Sequence, residues 1–401
     1  MQPADMMSAY PEQPLERDRW ILARRGARNH LDPLKPHAFL VEEERAESGE
    51  IVSVATVFLT NRECPWRCLM CDLWKNTLSE TVPVGAIPAQ IDFALAELAK
   101  QRGASFQSGG PRGLPAFRLE RTRPPATGAQ VSPPGKGGAR RSLPDLPRIA
   151  VPSPSLGSPP RQIKLYNSGS FFDRRAIPPE DYPAIADRVR EFERVIVECH
   201  PALVGASALR FRDLIQSPGA GGAHPPSACG CGAKLEIAMG LETAHPQLLE
   251  RLNKRMTLEQ FRCVAELLRE NGIALRVFVL VRPPFLDESE ALLWARRSID
   301  FAFDCGATAV SLIPTRFGNG ALEALAARDE FSPPKLATLE AALDYGVGLR
   351  RGRVFADLWD LGKFSTCPAC FEERRARLHE ENLRQIARSP LACEKCRGRT
   401  T

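Results

Sequence analysis

Short apolar runs alternate along the chain with stretches whose apolar residues recur at helical spacing. In the first such stretch, Ile91, Leu95 and Leu98 would share one helix face. Two later stretches open on capping boxes, at Thr257 and Asp287. Buried strands that alternate with helices are typical of an α/β fold with a parallel sheet. The predicted strands are 51–60, 163–170, 194–200, 235–243, 274–281 and 307–314, and a helix from 332 with an apolar run at 354–359 closes the domain.

Two stretches interrupt this pattern. Residues 101–161 contain twelve Pro, nine Gly and seven Ser, and such a segment cannot bury enough apolar surface to offset the entropy lost on ordering. We predict a disordered insertion there and an irregular loop at 217–232. The insertion has ten basic and two acidic residues, and its net charge of +8 exceeds the net charge of +6 of the whole chain. The total charge therefore gives no evidence of a basic catalytic surface, and RNA contact by the insertion stays an open alternative.

Cysteine content and hydropathy bear on the compartment. Most of the twelve cysteines fall in tight groups, and the start of the chain lacks the basic head and apolar run of a secretory signal. No segment reaches about eighteen uninterrupted apolar residues, so no membrane association is expected. Metal-bound thiolates in a reducing cytoplasm explain the cysteines better than disulfides do. A length of 401 residues allows one catalytic domain with appendages.

Three cysteines lie within eight residues directly after the first predicted strand. Cys64, Cys68 and Cys71 have the spacing C-x3-C-x2-C, so one loop can bring the thiolates together at the carboxyl end of a strand. Three thiolates bind three irons of a 4Fe-4S cluster and leave the fourth iron open to a ligand. A structural zinc loop with a fourth nearby ligand, or a chance group of reduced thiols, are the alternatives.

With Met70 before the last cysteine, this motif resembles that of the radical S-adenosylmethionine (SAM) superfamily. The resemblance implies a partial (βα)6 barrel in which Cys64, Cys68 and Cys71 hold the 4Fe-4S cluster and SAM chelates the open iron. It also implies an electron donor of the flavodoxin or ferredoxin type, reductive cleavage of SAM and a 5′-deoxyadenosyl radical. We expect an N-terminal extension at 1–50, the core at 51–360 and a C-terminal extension at 361–401.

Cofactor-binding candidates follow from the same resemblance. The family places a glycine-rich turn, usually Gly-Gly-Glu, after its second strand to meet the methionyl amine. The matching stretch here lacks the acidic residue, so it could also be an ordinary tight turn. The fourth strand would face the SAM carboxylate and ribose. The candidates are Met70, Asn167, Ser168, Gly169 and Ser170, with Glu236 and Glu242 on the fourth strand.

Three further residues are candidates on their own chemistry. Glu198 and His200 lie two apart at the end of the third strand, so they could reach the barrel mouth together, although a structural histidine is an equal alternative. Arg316 precedes a helix whose free N–H groups, together with its guanidinium, would suit a carboxylate or phosphate.

The C-terminal region carries a second cysteine group, with the spacing C-x2-C-x22-C-x2-C. Paired knuckles of this kind suit a tetrahedral zinc ion, and a second iron–sulfur cluster is the competing interpretation. Either site would be closed and structural. The four residues are Cys367, Cys370, Cys393 and Cys396.

Several barrel motifs together resemble the radical enzymes of archaeosine biosynthesis, relatives of the Elongator-type and methylthiotransferase group that act on tRNA. The motifs are 166–172, 240–243, 283–285 and 313–316. The resemblance implies radical C–N cleavage on a lysine-bearing deazaguanine base in tRNA, together with a partner enzyme. A radical enzyme acting on a small molecule or peptide, and a non-enzymatic zinc-ribbon interaction protein, are the alternatives.

Overall fold

The computed structural model describes residues 9–107, 159–217 and 232–397. Most of the predicted insertion at 101–161 and of the predicted irregular loop at 217–232 lies outside these residues. Residues 101–107, at the start of the predicted insertion, continue a helix instead. Within the described ranges, no helix combines the length and the apolar character needed to cross a membrane.

Within the described residues, eight strands form one sheet in sequence order. They are β1 (Ala38–Arg45), β2 (Ile51–Phe58), β3 (Gln162–Tyr166), β4 (Arg194–Glu198), β5 (Lys234–Glu242), β6 (Ala274–Val281), β7 (Ala309–Pro314) and β8 (Arg353–Ala356). β1 is antiparallel to β2, and all other neighbours are parallel. The six predicted strands are β2 to β7, so the predicted α/β fold is confirmed. β1 and β8 widen the sheet, and the predicted domain boundaries stay a prediction.

Helices precede, connect and follow the strands, and most of them pack against one face of the sheet. They are α1 (Pro14–Ala23), α2 (Ala86–Gln107), α3 (Tyr182–Val189), α4 (Ala206–Gln216), α5 (Pro246–Arg251), α6 (Leu258–Glu270), α7 (Glu288–Asp304), α8 (Ala321–Ala326), α9 (Leu336–Leu349), α10 (Phe371–Arg384) and α11 (Glu394–Arg397). The predicted capping boxes are present, at Thr257 before α6 and at Asp287 before α7. Each caps helix N–H groups that would otherwise lack a partner.

The sheet is curled into a half-barrel. Glu44 of β1 forms an ion pair with Arg276 of β6 and lies 3.9 Å from Arg353 of β8. In a flat sheet with strands about 4.8 Å apart, β1 and β8 would be separated by about 34 Å. The contacts between first and last strands therefore require the curvature of the predicted partial barrel.

The two faces of the sheet differ in chemistry because successive side chains point to opposite sides. One set is apolar and packs with the helices in the main core, as Leu165, Val197 and Val277 do. The other set faces the barrel interior, where Lys164 and Arg276 form ion pairs with Glu44. These charges occupy the interior near the amino ends of the strands.

A layer of aromatic rings follows these charges toward the carboxyl ends. Tyr166 comes two residues after Lys164 and Phe278 two after Arg276, and their ring centroids are 6.2 Å apart. Phe58 lies 6.2 Å from Tyr166 on the other side. With the interior filled below these rings, the carboxyl end of the barrel, here called the mouth, is where ligands have access.

Candidate active site

The cysteine loop lies at the mouth, directly after β2. None of Cys64, Cys68 and Cys71 forms a disulfide with another described residue, and all three are partly exposed. Burial raises the pKa of all three thiols, that of Cys71 to about 12. Thiolates at these positions therefore need a bound cation to be stable, as a metal or cluster would supply.

Backbone and amide contacts hold this loop from two other segments of the barrel. The Leu69 N–H donates to the Leu252 carbonyl at 2.9 Å, and the Asn253 amide donates to the Arg67 carbonyl at 2.7 Å. From the loop after β7, the Asn319 amide donates to the Leu69 carbonyl at 2.7 Å. These hydrogen bonds hold the backbone of the loop, and none of them involves a cysteine sulfur.

The segment that begins with α1 adds a third support. Arg25 forms a 2.6 Å ion pair with Glu63, the residue before Cys64, and Arg28 pairs with the same carboxylate. Asp18 accepts a hydrogen bond from Asn253. The sequence pattern gave no sign of this role, because basic residues on a short helix usually mark a solvated face.

Met70 does not extend from the loop into solvent. It is partly buried against an apolar cluster formed by α1, α5 and α8. Leu69 and Leu252 lie fully buried in the same cluster. Packing thus accounts for the apolar residue at this position, and its predicted contact with SAM stays a prediction.

The turn at residues 167–170 lies against the cysteine loop. A Cβ at Gly169 would come within 3.0 Å of the Cβ of Cys64, so glycine permits this approach. Ser168 has a left-handed φ of 54°. Asn167 is fully buried, and within the described part of the chain neither its amide nitrogen nor its amide oxygen has a hydrogen-bond partner. A buried amide without hydrogen bonds is costly, so this side chain fits a polar ligand such as the methionyl end of SAM.

The end of β4 positions that turn. One Glu198 carboxylate oxygen accepts the N–H groups of Asn167 at 2.5 Å and Gly169 at 3.2 Å, and the Ser170 hydroxyl accepts the His200 N–H at 2.9 Å. Burial raises the pKa of Glu198 to about 7, against the opposing effect of these N–H groups. The Ser170 hydroxyl is therefore already hydrogen-bonded within the protein. Glu198, in contrast, places a carboxyl group next to a turn whose own residues include no acidic side chain.

His200 connects the turn to the cysteine loop. Its ring stacks on Trp66 with centroids 3.8 Å apart. Its Nε2 lies 2.9 Å from the Lys254 carbonyl and its Nδ1 accepts the Ala202 N–H at 3.2 Å. Burial lowers the pKa of His200 to about 3, so the ring is neutral with its proton on Nε2. Of the two predicted alternatives, the contacts favour a structural histidine.

Glu242 and Lys254 form a buried ion pair beside the cysteines. Glu242 ends β5 at an irregularity of the strand and has a φ of 66°. Its Oε1 lies 2.7 Å from the Lys254 ammonium. Burial opposes the charge of Lys254, but Glu242 and then the neighbouring Cys68 raise its pKa. The sequence pattern does not indicate a role for Lys254, because only the fold brings it to Glu242 and the cysteine loop.

Glu236 lies away from the mouth, contrary to the expectation that grouped it with Glu242. Six residues of strand separate the two carboxylates by about 20 Å. Glu236 is fully buried and pairs with Arg276 at 2.6 Å, Arg194 at 3.0 Å and Arg353 at 3.3 Å. Burial alone would raise its pKa, but these guanidiniums lower it to about 2. Its charge is compensated by the interior ion pairs.

Arg316 is also paired within the protein. Its guanidinium forms an ion pair with Asp357, which follows β8. The helix after it, α8, begins at Ala321, and Glu323 accepts the N–H groups of Gly318 and Gly320 before it. The anion site predicted here is therefore already occupied by carboxylates of the chain.

The four C-terminal cysteines come together as predicted. Their sulfur atoms all lie within 4.8 Å of one another. The Cys367 and Cys393 sulfurs are 3.9 Å apart, and those of Cys370 and Cys396 are 3.6 Å apart. Four sulfurs at these distances can coordinate one metal ion.

The chain is similar in sequence to curated proteins over less than half of its length. No protein-family model matches it. It is 29% identical over 185 residues to archaeosine synthase subunit beta of Methanosarcina acetivorans, covering 44% of this chain and 49% of that protein. It is 27% identical over 183 residues to archaeosine synthase subunit beta of Thermococcus kodakarensis, covering 44% and 52%. The predicted family resemblance is confirmed.

The chain spans about half the length of the curated relatives it matches. Among solved structures, it overlaps with the archaeal Methanocaldococcus infernus Elp3 at a TM-score of 0.41 and 14% identity, covering 57% of this chain and 56% of that one. It overlaps with the radical SAM methyltransferase TsrM from Kitasatospora setae at a TM-score of 0.35 and 14% identity, covering 66% and 38%.

Proposed function

We propose that this protein is a radical SAM enzyme with a 4Fe-4S cluster bound by Cys64, Cys68 and Cys71. The observation that carries the proposal is the turn at 167–170. This turn lies against the cysteine loop, and the buried amide of Asn167 has no hydrogen-bond partner among the residues that the structure describes. When bound there, the cluster and SAM would supply one-electron chemistry that yields a 5′-deoxyadenosyl radical.

The residues around the loop have separate tasks in this proposal. The three cysteines supply thiolate ligands. Asn167, Ser168 and the backbone at Gly169 receive the methionyl end of SAM, and Glu198 offers a carboxyl group near its amine. Lys254 adds positive charge beside the cysteines, which favours thiolates over thiols. An external donor of the flavodoxin or ferredoxin type supplies the electron in a cytoplasmic setting.

The substrate that we propose is a base in tRNA. Support comes from the relatives named archaeosine synthase subunit beta. The reaction that we propose for this chain is C–N cleavage on a lysine-bearing deazaguanine, carried out together with a partner enzyme. A small molecule or a peptide is the second candidate. Nucleoside mass spectrometry of tRNA from cells lacking the protein separates them. Accumulation of a lysine-bearing deazaguanine supports tRNA, and an unchanged nucleoside profile contradicts it.

We further propose zinc at the four C-terminal cysteines. In a tetrahedral site with Zn–S bonds of about 2.3 Å, the sulfurs are about 3.8 Å apart, close to the observed 3.6 and 3.9 Å. The ligands of a 4Fe-4S cluster sit on different irons and are farther apart. Metal analysis should give one zinc per chain, lost in Cys393→Ser and retained in Cys263→Ser, an exposed cysteine on α6. Iron at this site would contradict the assignment.

Iron analysis tests the catalytic cluster itself. After anaerobic reconstitution, the protein should hold about four irons and four sulfides per chain. Cys71→Ala should lose this cluster, whereas Cys263→Ala should keep it. A wild-type protein that binds zinc alone would contradict the enzyme proposal and favour an interaction protein.

A further inference from the structure

β8 is an edge strand whose outer backbone groups need partners. The N–H groups of Arg353 and Asp357 point toward β7, where they donate to Thr308 at 3.2 Å and Leu312 at 2.8 Å. Because backbone groups alternate along a strand, those of Val354 and Ala356 point away from the sheet. They would be available to another strand or would require a cover.

Two amide side chains at the end of α10 supply that cover. Gln385 accepts the Val354 N–H at 2.6 Å and donates to the Val354 carbonyl at 2.8 Å. Asn382 does the same for Ala356, with both distances 2.8 Å. Each amide thus makes the pair of hydrogen bonds that a residue of a neighbouring strand would make.

The same end of α10 reaches the other edge of the sheet. Arg45 at the end of β1 donates to the Leu383 carbonyl at 3.4 Å, and Arg353 of β8 donates to the Arg45 carbonyl at 3.3 Å. The helix therefore lies across the seam, by which we mean the gap between β1 and β8 where the half-barrel is open.

Apolar packing holds α10 only in part. Leu378 is fully buried and Phe371 packs against the core, but most other side chains are charged. Arg374 pairs with Glu340 of α9 at 2.6 Å, and Arg377 with Asp344 at 2.6 Å. A polar helix of 14 residues is marginal without further support.

The four-cysteine site supplies such support. Cys370 directly precedes α10, and the chain returns after the helix to place Cys393 and Cys396 beside its start. The returning segment is held by α10, since the Arg388 N–H donates to Glu381 at 2.8 Å and its carbonyl accepts from Arg377 at 2.7 Å. A metal ion at this site would close the segment 367–396 around the helix.

We propose that the four-cysteine site acts as a clasp that keeps α10 across the seam, with Asn382 and Gln385 as positioning residues for the end of β8. This end carries two features of the mouth. Asp357 pairs with Arg316, and the Trp359 ring lies 5.9 Å from that of Phe58. The proposal rests on the proposed function in assigning a metal ion to the four cysteines and the mouth to the substrate.

The cysteine loop at 64–71 does not depend on the clasp, because its supports come from Arg25, Asn253 and Asn319. Loss of the clasp should therefore loosen the substrate side of the mouth and spare the cluster. This separation distinguishes a positioning role from a general loss of stability.

Hydrogen exchange measured by mass spectrometry on the reconstituted full chain tests the proposal. The variants are Cys393→Ser and the double variant Asn382→Leu with Gln385→Met, which keeps side-chain size but removes the amide bonds. Glu372→Gln on the exposed face of α10 is the matched control. We expect exchange at Val354 and Ala356 to rise at least tenfold in both test variants, with the control and the peptides of the cysteine loop unchanged.

Wild-type exchange at Val354 and Ala356 in either test variant would overturn the proposal, as would an equal rise in the cysteine loop. If Cys393→Ser does not fold, removal of the metal from the four-cysteine site of the wild-type chain by a chelator replaces it, with the same rise in exchange expected and wild-type exchange overturning the proposal. Iron content and 5′-deoxyadenosine formation without substrate should match wild type in the double variant, whereas substrate turnover should fall. Absence of iron from the wild-type protein would contradict the proposed function but leave the exchange test valid.

Discussion

The buried pair of Lys254 and Glu242 allows a test of how charge is managed beside the cysteine loop. Both residues are at most 9% exposed, and their charged atoms are 2.7 Å apart. Removing one partner of a buried pair costs about 3 to 5 kcal/mol, because it leaves the other charge without compensation. For Lys254→Met we expect the lower end, about 3 kcal/mol, which corresponds to a fall in melting temperature of several degrees.

Thermal and denaturant unfolding of the cluster-free chain measure this effect. Combining Lys254→Met with Glu242→Gln removes both charges and should restore stability to within about 1 kcal/mol of wild type. Lys100→Met breaks an exposed pair with Glu97 and should change stability by less than about 0.5 kcal/mol. A Lys254→Met protein as stable as this control would refute the reasoning.

The single variant Lys254→Met also tests electrostatics at the cluster. The charge of Lys254 acts on Cys64 and Cys68, so its removal should lower the reduction potential of a bound cluster by roughly tens of millivolts. The double variant also removes the opposing charge of Glu242, which acts on Cys68, so its potential should lie between those of Lys254→Met and wild type. A potential of Lys254→Met equal to that of wild type would show that Lys254 serves folding alone.

Two further variants test the turn against the cysteine loop. Gly169→Ala places a Cβ 3.0 Å from that of Cys64. We expect this variant to lose about 1 to 3 kcal/mol of folding stability and to hold fewer irons per chain. The control Gly26→Ala, which has open space around it, should match wild type in stability and in iron content. Burial raises the pKa of Glu198 to about 7 in the folded chain. Between about pH 4.5 and pH 7, the folded chain therefore keeps a proton on this carboxyl group that the unfolded chain has lost. Because the folded state binds more protons, the contribution of Glu198 to stability falls as pH rises through this range. Denaturation midpoints across this range should fall less steeply for Glu198→Gln, and equal slopes would contradict the assigned pKa.

The sequence predicts the barrel strands because their outward side chains are apolar. It does not predict β1, whose residues Glu42 and Glu44 resemble those of a solvated segment. In the fold these carboxylates face inward and meet Lys164. A buried charge network is not apparent from a sequence, since its partners come from strands far apart in the chain.

The candidate site residues also divide into those with a local sequence signal and those whose partners are distant in the chain. The cysteine spacing is local, so both cysteine groups could be identified without a structure. Arg316 was expected to be available for an anion, but Asp357, from a distant strand, pairs with it. Lys254 carries no local signal at all, because its role depends on the irregular end of β5 that brings Glu242 to it.

Reductive cleavage of SAM tests the central claim most directly. The anaerobically reconstituted chain, supplied with SAM and dithionite, should release 5′-deoxyadenosine, and Cys263→Ala should do so at the same rate. Cys71→Ala, prepared in parallel, should form none above background. A Cys71→Ala protein that still formed 5′-deoxyadenosine, or a wild-type protein that held four irons and formed none, would contradict the account.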